Sequence, residues 1–216
     1  MLITNYFIFL IIYLSNVNSI NPLIYSKIIN WYERTYNLSW YDSGIYFDSY
    51  ITQETGTNLI TSINRTINNE RETNVFIVLN TDGGDLLMTY KIISYMDLMR
   101  LNNGIKFHCV CMKAYSSGFF IFQLCDYRYW IDGKSMIMIH EPQLNIEGTF
   151  EYVKKYVEND FMIDYINYLS IMNRICSKYN ININEYQNKI AGKDWIITSK
   201  DEMRLLNFAD FFFEYI

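Results

Sequence analysis

Five consecutive apolar residues, Val75-Phe76-Ile77-Val78-Leu79, constrain this chain more than any other stretch. A strand with one face in water alternates apolar and polar side chains. An unbroken run therefore predicts a strand covered on both faces, as in a parallel sheet lined by helices. Ile105 to Met112, Tyr127 to Trp130 and Met136 to Ile139 read as further strands, the last two separated by an Asp132-Gly133 turn. Leu86 to Met99 and Gly118 to Leu124 read as helices between them. Alternation of this kind gives an α/β fold with right-handed crossovers. Upstream, Leu23 to Tyr36 and Thr55 to Asn69 carry helical spacing, the second with Leu59, Ile60, Ile63 and Ile67 on one stripe, and Gly44 to Phe47 is a short strand.

Downstream, Phe150, Val153, Val157, Phe161, Tyr165, Leu169, Met172 and Cys176 recur at three- and four-residue steps. They predict one helix over about residues 149–178, roughly 43 Å long at 1.5 Å per residue. That exceeds what a small sheet needs, so the helix is expected to project and pack against another subunit. Ser199-Lys200-Asp201-Glu202 has the pattern of a capping box, and Asn207 is a left-handed stop for the helix it starts. The apolar end, Phe208 to Ile216, is expected to be buried or paired.

At 216 residues and 50% hydrophobic, the chain is expected to form a single domain over residues 20–216. A formal charge of −5 with no sustained basic run argues against a nucleic-acid partner. Residues 1–19 carry an apolar run from Tyr6 to Leu14 followed by small and polar residues, the outline of a signal or targeting leader. Such a leader implies a secretory route or an organelle; an uncleaved anchor or a plain buried segment, the latter in a cytoplasmic protein, are the alternatives. The four cysteines, Cys109, Cys111, Cys125 and Cys176, have no second cysteine pair or histidine set to complete a zinc site. All four are expected as buried thiols, with Cys109 and Cys111 on opposite faces of their strand, and no metal is expected.

The two histidines differ in setting. His108 lies inside a strand and reads as a core residue with satisfied hydrogen bonds, whereas His140 ends a strand before Glu141-Pro142, which turns the chain away from the sheet. Ser116 stands at a strand-to-helix junction, where a hydroxyl is exposed beside free helix N–H groups. A histidine within hydrogen-bond reach would serve as its general base. The Gly83-Gly84 turn and the Ser117 N–H are candidate donors to an oxyanion.

The order of these pieces carries a resemblance. NTDGGDLLMTYKIISYM, then MKAYSSGFFIFQL, then SMIMIHEP resembles the proteolytic subunit of Clp protease, with a Gly-Gly strand end, a serine nucleophile turn and a Met-Ile-His motif in that order. SGIYFDSYIT and KDWIITSKDEMRLLNFAD resemble that family's early strand and closing segment, so the likeness spans about Ser43 to Asp210. It implies the spiral of β-β-α units shared with the crotonases, with residues 149–178 as a projecting handle helix. It implies a serine endopeptidase without a cofactor, cleaving unfolded polypeptide inside a heptameric ring or double ring, fed by an ATP-dependent unfoldase or completed by a ClpP-like paralogue. Ser116 matches the nucleophile, His140 the general base, and Gly84 and Ser117 the two oxyanion donors. The triad aspartate is the departure: Lys189 falls at that position, with Glu185 and Asp194 as nearby carboxylates. A lysine cannot accept the imidazole N–H, so a catalytically impaired structural subunit of a mixed ring is the alternative. An acyl-CoA enzyme of the crotonase class is a third, disfavoured by the Ser116 and His140 pair.

Overall fold

The computed structural model describes residues 26–28, 30–31, 34, 44–70, 73–143 and 146–214. The leader assigned to residues 1–19 and most of the helix expected over 23–36 lie outside them. In order, the elements are β1 (Gly44–Phe47), α1 (Gln53–Glu70), β2 (Asn74–Thr81), α2 (Leu86–Asn103), β3 (Lys106–Tyr115), α3 (Ser117–Gln123), β4 (Tyr127–Ile131) and β5 (Met136–Ile139). They are followed by α4 (Phe150–Tyr156), a π-helical turn (Val157–Phe161), α5 (Met162–Tyr179), α6 (Ile183–Ile190), β6 (Trp195–Ile197), α7 (Lys200–Leu205) and β7 (Phe211–Phe213).

The strands form one sheet in the order β1-β2-β3-β4-β7, all parallel, with β5 parallel to β3 and β6 antiparallel to β5. The apolar runs are buried on both faces, as their patterning requires. Val75, Ile77 and Leu79 of β2 join Phe107, Cys109 and Cys111 of β3 in the larger core beneath the helices. Phe76 and Val78 join Val110, Met112, Tyr129 and Ile131 on the other face, against Ile28 and Trp31. Cys109 and Cys111 thus share a face, because residues two apart on a strand point the same way, and the expectation of opposite faces is corrected. Cys109 is joined to Cys125 in a disulfide, which also corrects the expectation of four thiols; Cys111 and Cys176 are free and buried.

Strand β3 changes partners along its length. Its first part, His108 to Cys111, pairs with β4, and its last part, Lys113 to Tyr115, pairs with β5. The Asp132-Gly133 turn therefore makes a jog between two collinear strands rather than a hairpin. Ser135 holds the jog: its hydroxyl donates to Cys111 O at 2.6 Å and accepts from Ile131 N at 2.7 Å. The β2/β3 register shifts at the same level, from Leu79↔Cys111 to Asn80↔Lys113, leaving Met112 as an extra residue that bends β3. The consequence is that the carboxyl ends of β2, β3 and β5 lie side by side on one edge of the sheet.

Helix ends follow local chemistry. Asp85 caps α2 by accepting from Met88 N at 2.5 Å, and Gly104 closes it at φ 67°. The helix expected over 149–178 runs through α4, the π-helical turn and α5. The first two bury no residue, whereas α5 buries Tyr168, Ile171, Met172, Ile175 and Cys176. Ser199 caps α7 and Asn207 adopts φ 55°, in line with the sequence pattern. Phe211 to Phe213 form β7, paired with β4. Helix α6 carries only two buried side chains, Tyr186 and Ile190, and its sparse apolar pattern gave no warning of a helix.

Candidate active site

Three parallel strand ends build the site. Tyr115 of β3 lies opposite Met138 of β5, and the next residue, Ser116, donates its N–H to Met138 O at 2.7 Å. This places Ser116 beside the end of β5, which runs one residue further before His140. Ser116 itself has φ 50° and ψ −119°, an uncommon conformation for a side-chain-bearing residue, and its hydroxyl makes no capping bond to α3. Strain of this kind costs on the order of 1–3 kcal/mol and is characteristic of functional turns. The residue lines a cleft, and its hydroxyl is not bonded to its own helix.

The third strand end supplies the Gly83-Gly84 turn. Gly83 has φ 90°, and a Cβ there would sit 2.6 Å from Tyr115 O and 2.8 Å from Ser116 Cβ. Gly84 has φ 141°, and a Cβ would sit 2.2 Å from Ile51 O. Only glycine allows this turn to close on both Ser116 and Ile51. Its carbonyls are engaged: Gly83 O accepts from Ile51 N at 2.7 Å and Gly84 O accepts from the Ser117 hydroxyl at 2.8 Å. Ser117 is the first residue of α3, whose opening N–H groups have no intrahelical acceptor.

Ser116, Ser117, Gly84 and His140 all line one cleft of about 390 Å³, together with Tyr50, Asp82, Asp85, Leu86, Phe120, Pro142, Gln143, Tyr156, Phe161, Asp164 and Tyr168. The four residues singled out in the sequence thus come together. Burial, followed by the charges of Asp85 and Asp160, holds the Asp164 carboxyl above the usual carboxylate range. Burial also raises the Tyr168 hydroxyl.

His140 Nδ1 lies 2.5 Å from the carbonyl oxygen of Glu141. A carbonyl only accepts, so Nδ1 carries the proton and Nε2 keeps its lone pair in the neutral ring. Among the described residues no carboxylate bonds to this imidazole. Lys189, at the position expected of a triad acid, instead lies with Nζ 5.6 Å from the centre of the Trp195 ring. Glu185 is exposed on α6, and Asp194 shares a second cleft with His140, Glu141, Gly192 and Lys193 without a hydrogen bond to the ring. Glu141 is held from the far side, where its Oε2 accepts from Gly192 N at 3.2 Å. The orienting group of the histidine is therefore a main-chain carbonyl, which no side-chain pattern announces. The cleft-lining Asp164 and Tyr156 were equally hidden, since they sit within a helical repeat that reads as packing.

His108 is separate from all this. It is fully buried, with Nδ1 3.0 Å from Tyr129 Oη and Nε2 3.1 Å from Asn74 Oδ1, and it stacks on Tyr127. This is the core histidine expected from its place in a strand.

A search of curated proteins finds no match to this chain. The family model for Clp protease matches residues 29–193, well over half of the sequence, and spans every element of the site. Agreement of that match with a mostly parallel sheet whose Gly-Gly, Ser116 and His140 strand ends meet in one cleft means that the chain belongs to the Clp protease family.

Proposed function

We propose that the protein is a ClpP-like serine endopeptidase in which Ser116 attacks the scissile carbonyl and His140 acts as general base. The observation that carries this reading is the shared cleft, with Ser116 on a strained turn and His140 held in the tautomer that leaves Nε2 free. His140 Nε2 takes the proton of Ser116 Oγ as the bond to the carbonyl carbon forms. The oxyanion of the tetrahedral intermediate is received by the N–H groups of Gly84 and Ser117. The protonated imidazole returns its proton to the leaving amine, and water activated by the same nitrogen releases the acyl group. The substrate is extended or unfolded polypeptide, cleaved within a ring of identical or paralogous subunits. A fluorophosphonate probe is expected to label the assembled wild-type protein and to fail on Ser116→Ala and His140→Ala. Absence of labelling on the assembled wild type would overturn the reading.

A second reading has its own observation behind it. The Glu141 carbonyl orients His140 but carries no negative charge to offset an imidazolium, and Lys189 is turned to Trp195. Neutralising a triad aspartate in other serine peptidases costs about 10⁴ in turnover, much of it through the wrong tautomer. A chain with the right tautomer and no charge suits a weakly active or silent subunit of a mixed ring. Silence alone, together with entry into a ring with an active paralogue, would favour that role.

A further inference from the structure

The cleft beside Ser116 combines apolar walls with an unneutralised negative charge. Leu86, Phe120, Phe161 and Tyr168 supply the walls. Three carboxylates, Asp82, Asp85 and Asp164, share the same lining, and among the described residues no lysine or arginine does. Their states differ. Asp82 is paired with Lys113 Nζ at 2.8 Å, and one oxygen of Asp85 caps α2. Asp164 makes no hydrogen bond or ion pair among the described residues, and Asp85 and Asp160 are the charges that it feels most. The Tyr156 hydroxyl, in the same lining, is raised first by burial and then by Asp164, Asp160, Tyr152 and Asp85.

Two nearby carboxylates without a cation favour a ligand that brings one. Lysine and arginine side chains fit both parts of the surface, since their aliphatic stems lie against apolar walls while the charged head reaches an acid. An acidic side chain would meet like charge, and a leucine would leave Asp164 half-buried and unpaired. We infer that the cleft selects a basic side chain next to the scissile bond, with Asp164 as the specificity-determining residue and Asp85 in support. The inference rests on the peptidase reading and adds the substrate class to it.

Three peptidyl diphenyl phosphonates that differ only in carrying lysine, leucine or glutamate beside the phosphorus test both statements on the full-length assembled protein. Each is attacked by Ser116 Oγ, with phenoxide as the leaving group, so the labelling rate reads recognition at this position. The lysine probe is expected to react about fivefold faster than the leucine probe, the value of one partly exposed ion pair, and the glutamate probe most slowly. Asp164→Asn, isosteric and on a half-exposed helix position, is expected to bring the lysine-to-leucine ratio close to one, and added salt is expected to lower the same ratio in the wild type. Labelling with leucine equal to or ahead of lysine overturns the inference alone, as does a ratio that Asp164→Asn leaves unchanged. Failure of all three probes to label Ser116 overturns the peptidase reading and the inference with it.

Discussion

At the scale of single residues, Glu141 performs two tasks that its sequence position does not advertise. Its carbonyl orients His140, and its side chain fastens that carbonyl to Gly192 N across the second cleft. Removing the fastening lets the imidazole drift, and in the proposed mechanism a small misplacement of the general base is expensive in rate. Glu141→Ala is therefore expected to lower kcat about tenfold with little change in KM, while Glu141→Gln, which keeps the acceptor, restores most of it; steady-state kinetics on both variants separate this from a fold defect. The other histidine gives a pH signature instead. Burial pushes the His108 pKa down to about 4 from an ordinary 6.5, against a smaller opposing pull from Asp126. The unfolded chain then binds a proton below pH 6.5 that the folded chain refuses, so the contribution is intact above that pH and is lost as pH falls towards 4. The loss is on the order of 3 kcal/mol. Urea midpoints at pH 7, 5 and 4 are expected to fall more steeply for the wild type than for His108→Gln. His108 was legible as a core residue because a strand interior leaves an imidazole few other roles; the orienter of His140 was not, because main-chain atoms are the same at every position.

Between elements, one ion pair, a buried arginine held by a partly exposed carboxylate, ties the closing segment to the site's scaffold. Arg128 of β4 is almost fully buried and is bracketed by Asp210, with Nε donating to Oδ2 at 3.0 Å and Nη2 to Oδ1 at 2.7 Å. Its remaining donor reaches Gln123 Oε1 at the end of α3 and Asn207 O after α7, and its plane covers the Tyr179 ring. Tyr179 and Lys178 in turn donate to Gln123 O, so α5 caps the helix that begins at Ser116. Asp210→Ala would strand a guanidinium in the core, and the expected cost is about 3–5 kcal/mol, read from equilibrium urea unfolding. Arg128→Met with Asp210→Ala together should recover part of that loss, since no unpaired charge then remains buried. Strands β1 to β5 and helices α1 to α3 were readable because their apolar periods are long and uninterrupted. The Cys109–Cys125 disulfide was not, because the two sulfurs meet only after β3, α3 and the turn into β4 have folded back on each other. The Asp132-Gly133 turn shows the same limit: a hairpin and a jog share that dipeptide, and the choice between them depends on β3 offering two successive partners.

For the molecule as a whole, the surface of the long helical stretch is out of proportion to what the domain buries. From Phe150 to Phe161 it covers no core, yet Phe150 is 77% exposed, and beyond the π-helical turn Met162, Ile163 and Ile166 remain between 47% and 58% exposed. A helix in solution with this pattern would leave a contiguous apolar surface in water, the mark of an interface. Clp protease family members generally form rings that act on polypeptides, and these exposed apolar side chains are expected at a contact between subunits. The buried side of α5, through Ile171 and Ile175, keeps the stretch attached to the domain. Ile163→Glu combined with Ile166→Glu places two charges in that surface and touches no buried side chain. The substitutions are expected to shift monomer stability by less than about 0.5 kcal/mol each and to halve the mass of the assembly seen by sedimentation velocity, converting a double ring to single rings. An unchanged sedimentation coefficient would mean that the exposed stripe is not the contact between rings, and a coefficient of a lone subunit would place it within the ring instead.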